Sequence, residues 1–120
     1  MPPALRVLCG PAFGDRGLER ELSDQKELIE LGENGVRFWV SPHGGQKTGW
    51  FFDHRTGRRR VAELARGRRV LDVFCYAGAW GVQAAVAGAS SVLGIDSSEP
   101  ALALAARNAA LNGVGEQLAF

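Results

Sequence analysis

Sulfur is scarce in this chain, and long apolar runs are absent. Its 120 residues hold 2 cysteines, 1 methionine and 1 tyrosine. Cys9 and Cys75 stand far apart, with neither a C-x-x-C nor a Cys/His spacing around them, which argues against a cysteine-built metal centre. Cys75 reads as a small apolar residue packed beside a turn, since a buried free thiol is usually inert. No apolar stretch reaches the roughly 18 residues of a membrane span, and Met1-Pro2-Pro3 does not open a secretory signal, so the expectation is a cytoplasmic protein. Charge bias is missing too. A net charge of +1 with 46% apolar residues excludes disorder as the overall reading, and the length allows one domain at most.

What the chain has in abundance is glycine, and one stretch where an apolar run meets an acid and breaks into small residues. Val70-Leu71-Asp72-Val73-Phe74-Cys75-Tyr76-Ala77-Gly78-Ala79-Trp80-Gly81 reads as a buried strand, a tight turn and the start of a helix. A second run, Val92-Leu93-Gly94-Ile95, ends on Asp96 and leads into Ser97, Ser98, Glu99 and Pro100, the signature of a helix cap and first turn. Together these predict a βαβ unit that binds a nucleoside-containing cofactor.

Two parallel strands leave a crevice at their carboxyl ends, where backbone approaches a ligand only if side chains are absent, and Gly78 supplies that approach. A carboxylate ending the second strand can accept both hydroxyl hydrogens of a ribose, the role expected of Asp96. The alternative, that Asp96 merely caps the next helix, stays open. A nicotinamide dinucleotide would call for G-x-G-x-x-G, and that pattern fails. Tyr76 stands where the first glycine belongs, Trp80 separates Gly78 from Gly81, and Asp72 precedes the turn. An acid there repels pyrophosphate but suits the ammonium of a methionine moiety, so the turn fits S-adenosylmethionine better than NAD.

These residues carry a specific resemblance. Asp72-x-Phe74-x-Tyr76-x-Gly78-x-Trp80-Gly81, with Ile95-Asp96-Ser97-Ser98, Ala106-Arg107-Asn108 and Leu111-Asn112, resembles the cofactor half of class I methyltransferases. Glu33-Asn34-Gly35-Val36-Arg37-Phe38-Trp39-Val40 and Gly44-Gly45-Gln46-Lys47-Thr48-Gly49-Trp50-Phe51-Phe52-Asp53-His54-Arg55 narrow this further. The pattern G-G-Q-K-T-G-[aromatic]-x-x-D-x-R is similar to a signature of the bacterial large-subunit (23S) ribosomal RNA cytosine-5 methyltransferases that carry a PUA domain. The resemblance runs from roughly Glu33 to Asn112. It implies an α/β fold in which an N-terminal β-hairpin region, residues 1–55, precedes the first βαβα part of a Rossmann-like sheet, residues 56–120. It implies S-adenosylmethionine as cofactor, with Lys47, Phe51, Asp53 and Arg55 nearest to it beside Asp72, Tyr76, Gly78, Asp96 and Ser97. Ribosomal RNA is the implied partner, with a homodimer as a further expectation and no membrane.

The rest of the chain is read around that unit. Leu5-Arg6-Val7-Leu8-Cys9 is a short strand candidate, Gly14-Asp15-Arg16-Gly17 an exposed loop, and residues 18–26 a solvated linker. Residues 26–31 are expected to pair with 36–40 across Glu33-Asn34-Gly35, where Asn-Gly supplies positive φ, with Val36, Phe38 and Val40 on one side and Arg37 and Trp39 on the other. Three glycines in residues 44–49 signal a bend, and Trp50-Phe51-Phe52 resumes an extended run, with Phe52 preferred as core and Asp53 and Arg55 able to pair with each other. Residues 56–66 read as a helix capped by Thr56, ended by Gly67 and buried through Val61, Leu64 and Ala65. Further helices are expected over 79–87 and 99–111, and a third strand begins near Glu116. Arg107, Asn108 and Asn112 are read as structural.

Seven arginines, at 55, 58, 59, 60, 66, 68 and 69, face a single acid, Glu63. Such a patch suits RNA phosphate, with Arg58, Arg59 and Arg66 as the candidate contacts, although a solvated helix face explains the charges equally well. The resemblance places the acceptor-site Pro-Pro loop and a nucleophilic cysteine beyond the third strand, so this chain is expected to be a fragment with an unpaired sheet edge and no catalytic residue of its own. In such enzymes a cysteine thiolate would attack cytosine C6, the methyl group would pass to C5, and loss of the C5 proton would release the thiolate. A non-catalytic or degenerate RNA-binding piece and an NAD-binding oxidoreductase are the competing readings.

Overall fold

A computed structural model describes residues 28–41 and 50–120. The strand candidate at 5–9, the loop at 14–17, the linker at 18–26, the glycine bend at 44–49, Lys47 and Cys9 lie outside the described residues.

The chain enters through an antiparallel hairpin, β1 (Ile29–Glu33) and β2 (Val36–Val40), in register from Ile29 opposite Val40 to Glu33 opposite Val36. Asn34 and Gly35 alone form the turn, both with positive φ (54° and 79°), as a tight hairpin whose twist matches its strands requires. β1 therefore extends to Glu33, two residues past the expected end, because a two-residue turn frees Glu33 for pairing. Val36, Phe38 and Val40 point into the core and Arg37 outward, the alternation the sequence predicts.

Trp50-Phe51-Phe52 does not resume a strand. Phe52–His54 is a turn of 3-10 helix leading directly into α1 (Arg55–Ala65). Phe52 is 63% exposed, so its assignment to the core is corrected: the tight turn directs it outward. Thr56 does not cap α1; His54 holds that position with no side-chain bond. The buried face of α1 is also different from the expected one. Arg58 and Ala65 are buried while Val61 and Leu64 are exposed, because α1 turns its Arg58 side towards the carboxylate of Glu33.

β3 (Arg69–Val73), α2 (Ala79–Val86), β4 (Ser91–Ile95), α3 (Glu99–Leu111) and β5 (Leu118–Ala119) then alternate. Their strands pair in parallel in the order β3-β4-β5, with Asp72 opposite Gly94 and Val92 opposite Leu118. α2 is almost pure alanine, valine and glycine on its sheet side, so it approaches closely: a β-carbon at Gly81 would lie 3.0 Å from Val92 and 3.1 Å from the Asp72 carboxylate. Ser98 caps α3, accepting from the Ala101 N–H, and Pro100 sits in the first turn. One core joins hairpin, sheet and helices through Phe38, Val40, Val82, Val92, Leu102 and Leu118. The expectation of a buried first strand is corrected, since Leu71 and Val73 on β3 are exposed, as is Ile95 at the end of β4. No described helix is long and apolar enough to cross a membrane.

Candidate cofactor site

The site lies where β3 and β4 end. β3 breaks at Phe74, Cys75 packs inward at 2% exposure, and the chain turns through Tyr76 and Gly78 into α2. Phe74, Tyr76 and Gly78 all hold positive φ (61°, 46° and 84°), free of cost for the glycine but strained for Phe74 and Tyr76, which surrounding contacts must hold. Backbone bonds from the Cys75 N–H to the Ile95 carbonyl and from the Gly78 N–H to the Cys75 carbonyl brace the turn, and two carboxylates add to them. Asp96 accepts from the Tyr76 N–H at 2.9 Å through one oxygen and from the Ser98 N–H at 2.9 Å through the other. Since Ser98 is the helix cap, Asp96 is not, and each of its oxygens keeps lone-pair capacity for a further donor.

Asp72 has a different task. Gly78 begins α2 without a side chain to satisfy the helix's first N–H groups, and Asp72 accepts the Gly81 N–H at 3.0 Å in its place. Burial pushes the Asp72 carboxyl up to about 6, and the negative charge of Asp96 adds to this, while the Gly81 N–H opposes it. Burial and the same Asp96 charge raise the Tyr76 phenol. The result is two partly buried acids at neighbouring strand tips, on either side of a backbone turn. A cation beside Asp72 and a pair of hydroxyls beside Asp96 would both be stabilised there. Among the described residues no group of His, Cys, Asp or Glu could hold a metal ion.

The hollows around the turn are shallow. One of about 80 Å³ is lined by Phe51, Phe74, Tyr76, Ala77 and Trp80, and another of about 290 Å³ by Asp72, Leu71, Phe74 and Trp80. A larger groove of about 460 Å³ lies elsewhere, between the hairpin turn, α1 and α2, and holds none of these residues. Phe51 is half exposed and stacks on His54, with centroids 5.7 Å apart. Asp53 lies 3.8 Å from the His54 imidazole, not against Arg55. Ser97 is exposed beyond the tip of β4.

Arg58 is removed from the RNA candidates. Its side chain is 2% exposed and pairs with Glu33 at 2.5 Å, donates to the Phe51 carbonyl at 2.8 Å and lies over the Trp50 ring. A guanidinium enclosed in this way has no face left for phosphate. Burial pushes the Glu33 carboxyl up, but hydrogen bonds from Arg58, Gln83 and Trp50 and the charge of Arg58 outweigh that and hold it below the ordinary range. Arg59 and Arg60 are exposed, both within reach of Glu63 (3.4 and 3.3 Å), and Arg66 is exposed on the loop that follows. The roles of Glu33 and Gln83 were not read from the sequence, where their only signal is a lone acid before Asn-Gly and a polar residue in an alanine helix.

A Rossmann-like half-sheet with a glycine turn between two strand-end carboxylates defines a nucleoside-cofactor protein. The sequence model of the S-adenosylmethionine-dependent methyltransferases matches residues 13–118, and this chain belongs to that family. It is 45% identical over 86 residues to the ribosomal RNA large subunit methyltransferase I of Tolumonas auensis, covering 72% of this chain and 22% of that relative. The chain thus spans 22% of the length of this curated relative. Among solved structures, the S-adenosylmethionine-dependent methyltransferase from Agrobacterium tumefaciens superposes with TM-score 0.70 at 26% identity, over 78% of this chain and 31% of that one. The tRNA (uracil-54, C5)-methyltransferase of Pyrococcus abyssi, solved with S-adenosyl-L-homocysteine, gives TM-score 0.60 at 30% identity over 73% and 22%. S-adenosylmethionine is accordingly the cofactor of this family, and its chemistry fits an acid that excludes pyrophosphate.

Proposed function

We propose that this chain is the cofactor-binding portion of a large-subunit ribosomal RNA methyltransferase acting at C5 of a cytosine, with residues 1–55 leading into the catalytic domain and 56–120 forming its first half. The observation that carries the reading is the pair Asp72 and Asp96 at neighbouring strand tips, flanking the Gly78 turn. Asp72 would hold the ammonium of the methionine moiety and Asp96 the ribose hydroxyls, with Gly78 clearing room for the backbone to approach. Tyr76, Ser97 and Phe51 border the same turn, and the motif resemblance adds Lys47, Asp53 and Arg55. When bound, S-adenosylmethionine supplies an electrophilic methyl group on a sulfonium. The chain's own contribution is to fix that group in place, and positioning of this kind lowers a barrier by removing translational and rotational freedom beforehand. Arg59 and Arg66 would meet RNA phosphate.

The large-subunit RNA relative supports the substrate class, and the C5-methylating tRNA enzyme supports a pyrimidine carbon as acceptor. Calorimetric titration of the chain with S-adenosylmethionine and with NAD tests the reading: saturable heat with the first and none with the second is expected. Binding of NAD instead would overturn it, and salt-sensitive RNA binding without cofactor binding would favour a non-catalytic RNA-binding piece.

A further inference from the structure

Asn108 in the last turns of α3 and Asn112, which caps its C-terminus, lie four residues apart, and both bond the free edge of β2. In a two-stranded antiparallel sheet every second residue of a strand directs its N–H and C=O away from its partner, and on β2 these residues are Arg37 and Trp39. Asn112 meets the first of them. Its Oδ1 accepts from the Arg37 N–H at 3.2 Å and its Nδ2 donates to the Arg37 carbonyl at 2.7 Å. Asn108 meets the second in the same way, accepting from the Trp39 N–H at 2.6 Å and donating to the Trp39 carbonyl at 3.1 Å. The match is geometric: four residues of helix rise about 6 Å, and two residues of strand span about 6.7 Å. Two side-chain amides thus stand in for a third strand.

Asn108 does one thing more. Fully buried, it donates its second N–H to the Ala77 carbonyl at 3.0 Å. Ala77 lies between the left-handed Tyr76 and Gly78, and its carbonyl is the acceptor that the Gly81 N–H would take if α2 continued backwards. That N–H goes to Asp72 instead. Asn108 therefore satisfies the carbonyl left over when Asp72 caps α2, and every hydrogen-bonding group of its amide but one lone pair is in use.

We infer that Asn108 is a positioning residue for cofactor binding, tying the Ala77 carbonyl of the cofactor turn to the edge of the β1–β2 hairpin. The inference rests on the reading of this turn as the S-adenosylmethionine site. Asn112, whose side-chain hydrogen bonds go to the hairpin and to α3, serves as the internal control.

The test combines amide hydrogen exchange of the ligand-free chain with titration by S-adenosyl-L-homocysteine. Asn108→Ser should speed exchange at Gly78 and Gly81 and weaken binding roughly tenfold, the equivalent of one buried hydrogen bond. Asn112→Ala should speed exchange in β2 while leaving the turn amides and the affinity within about twofold of the unaltered chain. In the unaltered chain the Asn108 side-chain amide resonances should shift on titration, a measurement that needs no variant to fold. Unchanged turn exchange in Asn108→Ser, or Asn108 resonances that stay still while the ligand saturates, overturns the inference. If the unaltered chain binds no S-adenosyl-L-homocysteine, the cofactor reading fails instead, and the ligand-free exchange still decides whether Asn108 holds the turn.

Discussion

Asp96 reaches back across the sheet to the backbone of Tyr76: its carboxylate accepts the Tyr76 N–H at 2.9 Å, joining the tip of β4 to the turn that follows β3. The bond fixes a left-handed tyrosine, φ 46°, in the turn between β3 and α2. One acid therefore ties the turn after β3 to the start of α3, through the Tyr76 and Ser98 N–H groups.

The raised Asp72 carboxyl gives binding a pH signature. An ammonium ligand needs the carboxylate, so affinity should be level well above pH 6 and fall as pH drops through about 6, approaching tenfold per unit below it. Fold stability moves the opposite way. A folded-state value above the ordinary 3.8 contributes stability that is complete below 3.8 and lost as pH rises through 6. Calorimetry of S-adenosyl-L-homocysteine between pH 5 and 8 checks the first, and Asp72→Asn should abolish the dependence.

Arg58 should behave as a structural group. Arg58→Ala leaves Glu33 buried and uncompensated between Gln83 and Trp50, a change that costs about 3–5 kcal/mol. Denaturant unfolding should report this loss, and Arg59→Ala, on the exposed side of the same helix, should change stability by under about 0.5 kcal/mol.

Exposed arginines should instead govern RNA affinity. Arg59→Ala and Arg66→Ala should each weaken binding evenly across sequences and lower the slope of log affinity against log salt by about 1. Filter binding over a salt series measures the slope, and an unaltered slope in both variants would remove the patch from RNA contact.

Gly78 is a strained place for a side chain. With φ at 84°, an added β-carbon would lie 3.1 Å from Val82 and 3.3 Å from Ala105, and the left-handed conformation alone costs about 1–2 kcal/mol. Gly78→Ala should therefore lower the unfolding free energy by at least that amount and weaken cofactor binding, both measurable on one preparation.

Much of the architecture was legible because punctuation and period agreed. Ser98, Pro100 and Asn112-Gly113 bracket α3 as the sequence indicates, and the apolar runs ending at Val73 and Ile95 are the parallel strands. Failures came where partners are distant. The aromatic run at 50–52 looks extended, but its backbone tightens into the helix that carries Arg58, and Arg58 is buried by an acid 25 residues earlier. Helical spacing marked Val61 and Leu64 as the inner face because periodicity weighs hydrophobicity and takes no account of a buried ion pair. Likewise, the spacing of Asn108 and Asn112 is visible in the sequence, while the strand edge that receives them is not.

The central claim is that Asp96 takes hold of the nucleoside, and Asp96→Ala tests it most directly by titration with S-adenosyl-L-homocysteine. Loss of hydrogen bonds to a charged acceptor, about 2 kcal/mol, predicts a dissociation constant roughly 30-fold higher in a variant that remains folded. An affinity equal to that of the unaltered chain would contradict the account.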